Sequence, residues 1–184
     1  MTPYLSPLLP VLALSLVVGA CTTTQAVITN EELQEDFNHP GALNPAVVDG
    51  GVPTVVVGEP FHGVSAEASL APVKPPASVA ARRLTVADDG DTGARLVIMF
   101  HPARPMTGPE ICGPVARISP LATSDDGKVF SLQVALCRGD TKLSSAMSHG
   151  PHPAGVTDPA YADMVQQTLG VILPMSVPLD LPFL

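Results

Sequence analysis

From Lys128 to Cys137 the chain alternates, with Phe130, Leu132, Val134 and Leu136 on one face and Val129, Ser131, Gln133, Ala135 and Cys137 on the other. A period of two belongs to an extended strand, and this pattern predicts a half-buried antiparallel one. Ser124-Asp125-Asp126-Gly127 precedes it as a turn. A second alternating segment, Arg95 to Phe100, places Leu96, Ile98 and Phe100 on one face. Arg95, Val97, Met99 and then His101 share the other. With Arg83 to Ala87 it reads as a hairpin around Asp88-Asp89-Gly90-Asp91-Thr92-Gly93. Pro114 and Pro120 restrict Val115 to Ile118 to an edge strand at most.

One helix is equally plain. Asp158 suits the cap and Pro159 the first helical position, and Tyr161, Met164, Val165, Thr168, Leu169 and Ile172 follow helical spacing along one stripe. Pro174 stops it. Such a stripe must bury against another element, and the apolar face of the sheet is the partner. The expected fold is α+β, a small antiparallel sheet of four to six strands covered by this C-terminal amphipathic helix.

The first half of the chain is less regular. Glu31 to Phe37 reads as a short helix capped by Asn30 and ended by His39-Pro40-Gly41. Thr54-Val55-Val56-Val57 is strand-like and stops at Gly58 and Pro60, and Pro72-Val73-Lys74-Pro75-Pro76 reads as a stiff extended connector. These features suggest a tether with one or two docked elements over residues 21–78 and an α+β domain over 79–175. An apolar, proline-broken tail, 176–184, follows as a strap or a partner-binding segment. The 21 prolines and 15 glycines favour long irregular stretches, while 46% hydrophobic and 14% charged residues exclude a solvated disordered chain.

The start of the chain carries a different message. An uncharged apolar run, Val11 to Ala20, ends in Val18-Gly19-Ala20-Cys21. This arrangement resembles the lipobox of bacterial lipoproteins. The resemblance implies that residues 1–20 are a signal peptide cleaved between Ala20 and Cys21. It also implies that Cys21 is lipidated on sulfur and its new amino group acylated. Thr22 after the cysteine implies sorting to the outer membrane, lipid-anchored and facing the periplasm. A transmembrane helix needs about 20 consecutive apolar residues, and Ser6, Pro7, Pro10 and Ser15 break the span. Two or more acyl chains hold a protein stably on a bilayer where one does not.

With Cys21 committed to lipid, Cys112 and Cys137 remain as an even pair in an oxidising compartment. A disulfide is the expectation, against a metal thiolate pair or a reactive thiol. Charge argues against nucleic acid as a partner. Seven acids and no Lys or Arg lie between Thr22 and Val73, and the nine basic residues spread over Lys74 to Lys142 without a dense cluster. Few aromatic residues, with no tryptophan, leave little for stacking bases or sugars.

Candidate chemistry is sparse. Met99-Phe100-His101 and Met147-Ser148-His149, with His152 nearby, combine thioether and imidazole, a soft set suited to copper. Chance pairing is the first reading, because His149 to His152 falls in a Gly/Pro stretch. A copper or zinc site through His101, His149 and His152 is the alternative. Asp89-Gly90-Asp91 lacks the ligand spacing of a calcium loop. No nucleophile elbow, zinc-protease motif, phosphate loop or dinucleotide glycine pattern occurs. The sequence therefore points to a non-enzymatic, cofactor-free envelope accessory or assembly factor acting through protein contacts. A periplasmic lipoprotein that binds a metal or small ligand is the second reading.

Overall fold

The computed structural model describes residues 26–33, 39–88, 90, 93–114 and 128–174. Its strands are β1 (Val27–Leu33), β2 (Gly51–Val57), β3 (Arg83–Val86), β4 (Ala94–Phe100), β5 (Val129–Arg138) and β6 (Thr141–Pro151). The helices are α1 (His39–Leu43), α2 (Ala66–Leu70), α3 (Gly108–Ile111) and α4 (Pro159–Ile172). The six strands make one sheet in the order β1-β6-β5-β4-β2-β3. The fold is α+β and α4 packs on the sheet, as the sequence leads one to expect.

The sheet is mixed, however, not antiparallel. β2 runs parallel to both β3 and β4 and lies between them. The hairpin expected between β3 and β4 is therefore replaced by a short connection that carries the chain from one side of β2 to the other. The cause is the valine run of β2. Val52, Val55 and Val57 are buried, and a strand covered on both faces belongs inside a sheet, with a neighbour on each edge. Two elements from the expected tether thus join the sheet: β2 inside it and β1 at its edge. Residues 31–33 are strand and not the start of a helix. Asn30 takes φ 51° where the β1–β6 register shifts, so it forms a bulge where a helix cap was expected. His39-Pro40-Gly41 opens α1 instead of closing a helix.

β5 and β6 form a long antiparallel hairpin that turns at Gly139, whose φ of 53° suits glycine. The Gly/Pro stretch expected to hold His149 as a loop is the end of β6. The central strands are buried on both faces and not half-buried, so the sheet has two cores. Leu96, Ile98, Phe100, Phe130, Leu132, Val134 and Leu136 pack on the side of α4. Val55, Val57, Val97, Met99, Ala135 and Cys137 pack on the other, beneath Met106, Ile111 and Cys112.

The helix side is closed by α4 as its spacing dictates. Tyr161, Met164, Val165, Thr168, Leu169 and Ile172 are its buried residues, and Asp158 accepts a hydrogen bond from the Ala160 amide at the N-cap. Small residues on β6 let the helix approach closely. Ser144 Oγ donates to the Ile172 carbonyl and Ser78 Oγ to that of Leu173, so two carbonyls left over at the helix end find partners. The Tyr161 hydroxyl donates to the Ser69 carbonyl at 2.9 Å, which ties α4 to α2, and burial pushes its pKa well above the usual tyrosine range.

The opposite face is held by polar clamps. Gln133 accepts from the Met106 amide at 2.8 Å and donates to the Met106 carbonyl at 3.2 Å. Arg95, 3% exposed, donates to the carbonyls of Cys112 and Gly139. At the start of α3, Glu110 accepts from Arg104 and from the amide and hydroxyl of Thr107. The Arg104 contact, then the Thr107 bonds, pull its carboxyl down to about 2 from 4.5. A depressed carboxyl contributes stability above its unfolded pKa and loses it as pH falls through the folded one. An NMR titration of the Glu110 carboxyl should therefore give a midpoint near 2, and Arg104→Gln should move it back toward 4.5. A wild-type midpoint near 4.5 would mean that the Arg104 pair does not form in solution.

Candidate functional site

Two groups of chemically distinctive residues are brought together by this fold. The first is the disulfide. Cys112, just after α3, is bonded to Cys137 of β5, with Cα atoms 5.5 Å apart. Both are fully buried in the core opposite α4. The sequence expectation of this pair is met. Cys21 and the apolar run before it lie outside the described residues, as do 34–37, Asp89, Asp91, Thr92, Val115 to Ile118, Ser124 to Gly127 and the tail from Met175. Among the described residues no helix is long and apolar enough to cross a membrane.

The second group sits at the end of the sheet near the N-terminus of α4. His101 follows β4 and its amide continues the ladder by donating to the Ser131 carbonyl. His152 follows β6 and its amide donates to the Lys128 carbonyl. The two histidines thus flank the start of β5 from either side. Their rings are nearly parallel, at 9°, with centroids 6.3 Å apart. Phe130 of β5 stands perpendicular to both, at 5.0 Å from His101 and 5.6 Å from His152. Phe61, from the β2–α2 connection, meets His152 edge-on at 5.4 Å and stacks on Phe130 at 5.6 Å.

His101 reaches this cluster by leaving the alternation of β4. Its φ of 51° reverses the expected direction, so its ring joins Phe130 on the α4 side and not Met99 on the other. The thioether–imidazole pairing expected of Met99 and His101 is therefore broken by the sheet between them. His149 is separated too. Ser148 of β6 meets Thr168 of α4, so alternation turns His149 to the opposite face, along with Met147. Of the three histidines named by the sequence, the fold unites His101 with His152 and leaves His149 apart. Among the described residues no three His, Cys, Asp or Glu side chains gather in a metal-binding group.

Each ring of the pair is oriented by a backbone carbonyl. His101 Nε2 contacts the Pro60 oxygen at 3.1 Å and His152 Nδ1 the Pro153 oxygen at 2.9 Å. A carbonyl oxygen only accepts, so these nitrogens carry the hydrogens. In the neutral rings the lone pairs then fall on His101 Nδ1 and His152 Nε2. Each histidine also precedes a buried proline, Pro102 or Pro153, which narrows its backbone freedom. The His-Pro dipeptide does not mark the pair, since His39-Pro40 repeats it elsewhere in the chain. Phe61 and Tyr161, which complete its surroundings, gave no sequence signal beyond hydrophobicity. No protein-family model, curated protein or solved structure matches this chain.

Proposed function

We propose that the chain is an exported lipoprotein, anchored through Cys21 to the periplasmic side of the outer membrane. There it serves as a non-enzymatic accessory or assembly factor through protein contacts. One observation carries the reading. The disulfide joins Cys112 to Cys137, two of the three cysteines in the chain, and Cys21 is the third. A fully buried structural disulfide suits an oxidising compartment, and the remaining cysteine stands directly after Val18-Gly19-Ala20. The buried polar residues beneath the sheet hold the fold together. Arg95 and Gln133 are spent on backbone carbonyls and amides and serve as clamps.

The anchor is tested by Cys21→Ser. In the native envelope the substituted protein should lose its acyl mass, fail to partition into the detergent phase, and escape normal processing. If it still fractionates with membranes at the wild-type mass, the anchor lies elsewhere and the proposal fails. Partner contact is tested by deleting residues 176–184 from the anchored protein. Loss of a co-purifying envelope protein, with unchanged thermal stability, supports the apolar tail as the contact segment.

A further inference from the structure

We propose that Val27, Pro151 and Val129 form the surface by which the domain rests on a phospholipid bilayer. The proposal rests on the reading of Cys21 as a lipid anchor and adds the domain's own contact with the lipid. The strand register brings the three residues together. Val129 lies opposite Pro151 across the β5–β6 pair, and Val27 lies opposite His149 across β1–β6. His149 and Pro151 are two residues apart on one strand, so all three side chains share the sheet face away from α4 as neighbours. The cover of that face stops short of them. Gln133, held by Met106, and its cross-strand partner Met147 are buried. Ser131 and His149, one step nearer the sheet end, are half-buried. Beyond them Val27 is 61% exposed and Val129 53%, with exposed Pro151 between.

Size and place select a bilayer as the occupant. Three side chains fall far below the roughly 800 Å² per partner that a specific protein interface buries. A lipid surface makes no such demand. Once Cys21 holds the chain at a membrane, a second contact is intramolecular, and a weak patch acts at high effective concentration. Val27 opens β1 six residues after Cys21, so the patch lies where the anchored chain enters the domain. Charge agrees with this. The chain carries a net charge of −8, yet positions 27–29, 128–131 and 149–152 hold no Asp or Glu. Docking this corner at the boundary of headgroups and acyl chains therefore brings no carboxylate against lipid phosphates.

Tryptophan fluorescence tests the contact, because the chain has no tryptophan of its own. Val27→Trp or Val129→Trp sets a single reporter on the patch. Val86→Trp, also at an exposed position but on the opposite edge strand β3, is the control. Each full-length variant is taken from the native envelope, its acyl mass and thermal unfolding are measured, and it is reconstituted in phosphatidylethanolamine vesicles with brominated acyl chains. Val27→Trp and Val129→Trp should lose emission relative to unbrominated vesicles, while Val86→Trp keeps it. Adding Val27→Asp to Val129→Trp should restore the emission. Unquenched emission from folded, acylated Val27→Trp and Val129→Trp would overturn the docking and leave the anchor standing. Absence of acyl mass on Cys21 would refute the anchor and the docking with it. Equal quenching in Val86→Trp would overturn the docking, since the domain would then touch lipid without preference. Unquenched emission together with loss of a co-purifying envelope protein in Val129→Asp would make the patch a protein contact instead.

Discussion

Replacing Leu169 by alanine should lower the unfolding free energy by about 2 to 5 kcal/mol, the usual cost of emptying a leucine-sized space in a core. Leu169 is fully buried in the cluster between α4 and the sheet. The neighbouring contacts leave little room for collapse. Ser148 and Thr168 share a buried hydrogen bond nearby, and Ser144 holds the carbonyl of Ile172. α4 is thus pinned at several points and cannot slide to fill the hole. Urea unfolding monitored by circular dichroism measures the change. A loss below about 1 kcal/mol would mean that the helix docks loosely. Deleting residues 176–184 should cost much less, which separates the core helix from the tail.

Removing the disulfide should have a comparable effect by a different route. In the Cys112→Ser, Cys137→Ser double variant, loop-closure entropy alone predicts a loss of about 3.5 kcal/mol for a bridge across 25 residues. The bond also fastens the cover of the second core. Cys112 ends α3, its carbonyl receives Arg95, and Met106 sits on Gln133 six residues earlier. Without the bond these clamps must hold the layer alone. The double variant should therefore unfold at lower denaturant and be cut sooner by protease between residues 103 and 114. Equal stability of the oxidised protein and the double variant would show that the clamps suffice. Intact mass of the oxidised protein should fall two hydrogens short of the reduced form.

What could be read from the sequence followed from how local the signals were. α4 was legible to the residue, because cap, proline, stripe and stop all lie within one segment. The facing of β4 and β5 was legible too, since period two does not depend on neighbours. The polarity of the second face misled. Arg95, Ser131 and Gln133 look like solvent-side residues, yet Arg95 and Gln133 are buried because each finds backbone partners in the 106–139 region. β6 was hidden for a related reason. Ser144, Ser145 and Ser148 occupy buried positions where a sequence reader looks for valine or leucine. The parallel placement of β2 is a long-range choice with no local mark. The histidine pair depended on a single backbone angle at His101, and alternation predicted the opposite face.

The position of β1 has a consequence for how the domain meets a membrane. The strand begins at Val27, six residues after Cys21, and is hydrogen-bonded into the sheet beside β6. A fully extended chain reaches about 3.5 Å per residue, so a lipid on Cys21 would leave a leash of about 20 Å. A free tether out to residue 78 would have allowed about 200 Å. On so short a leash, a domain lipidated at Cys21 would not sweep the periplasm in search of partners. It would sit against the bilayer with the β1 edge nearest the lipid, and its encounters would be governed by lateral diffusion in the membrane plane.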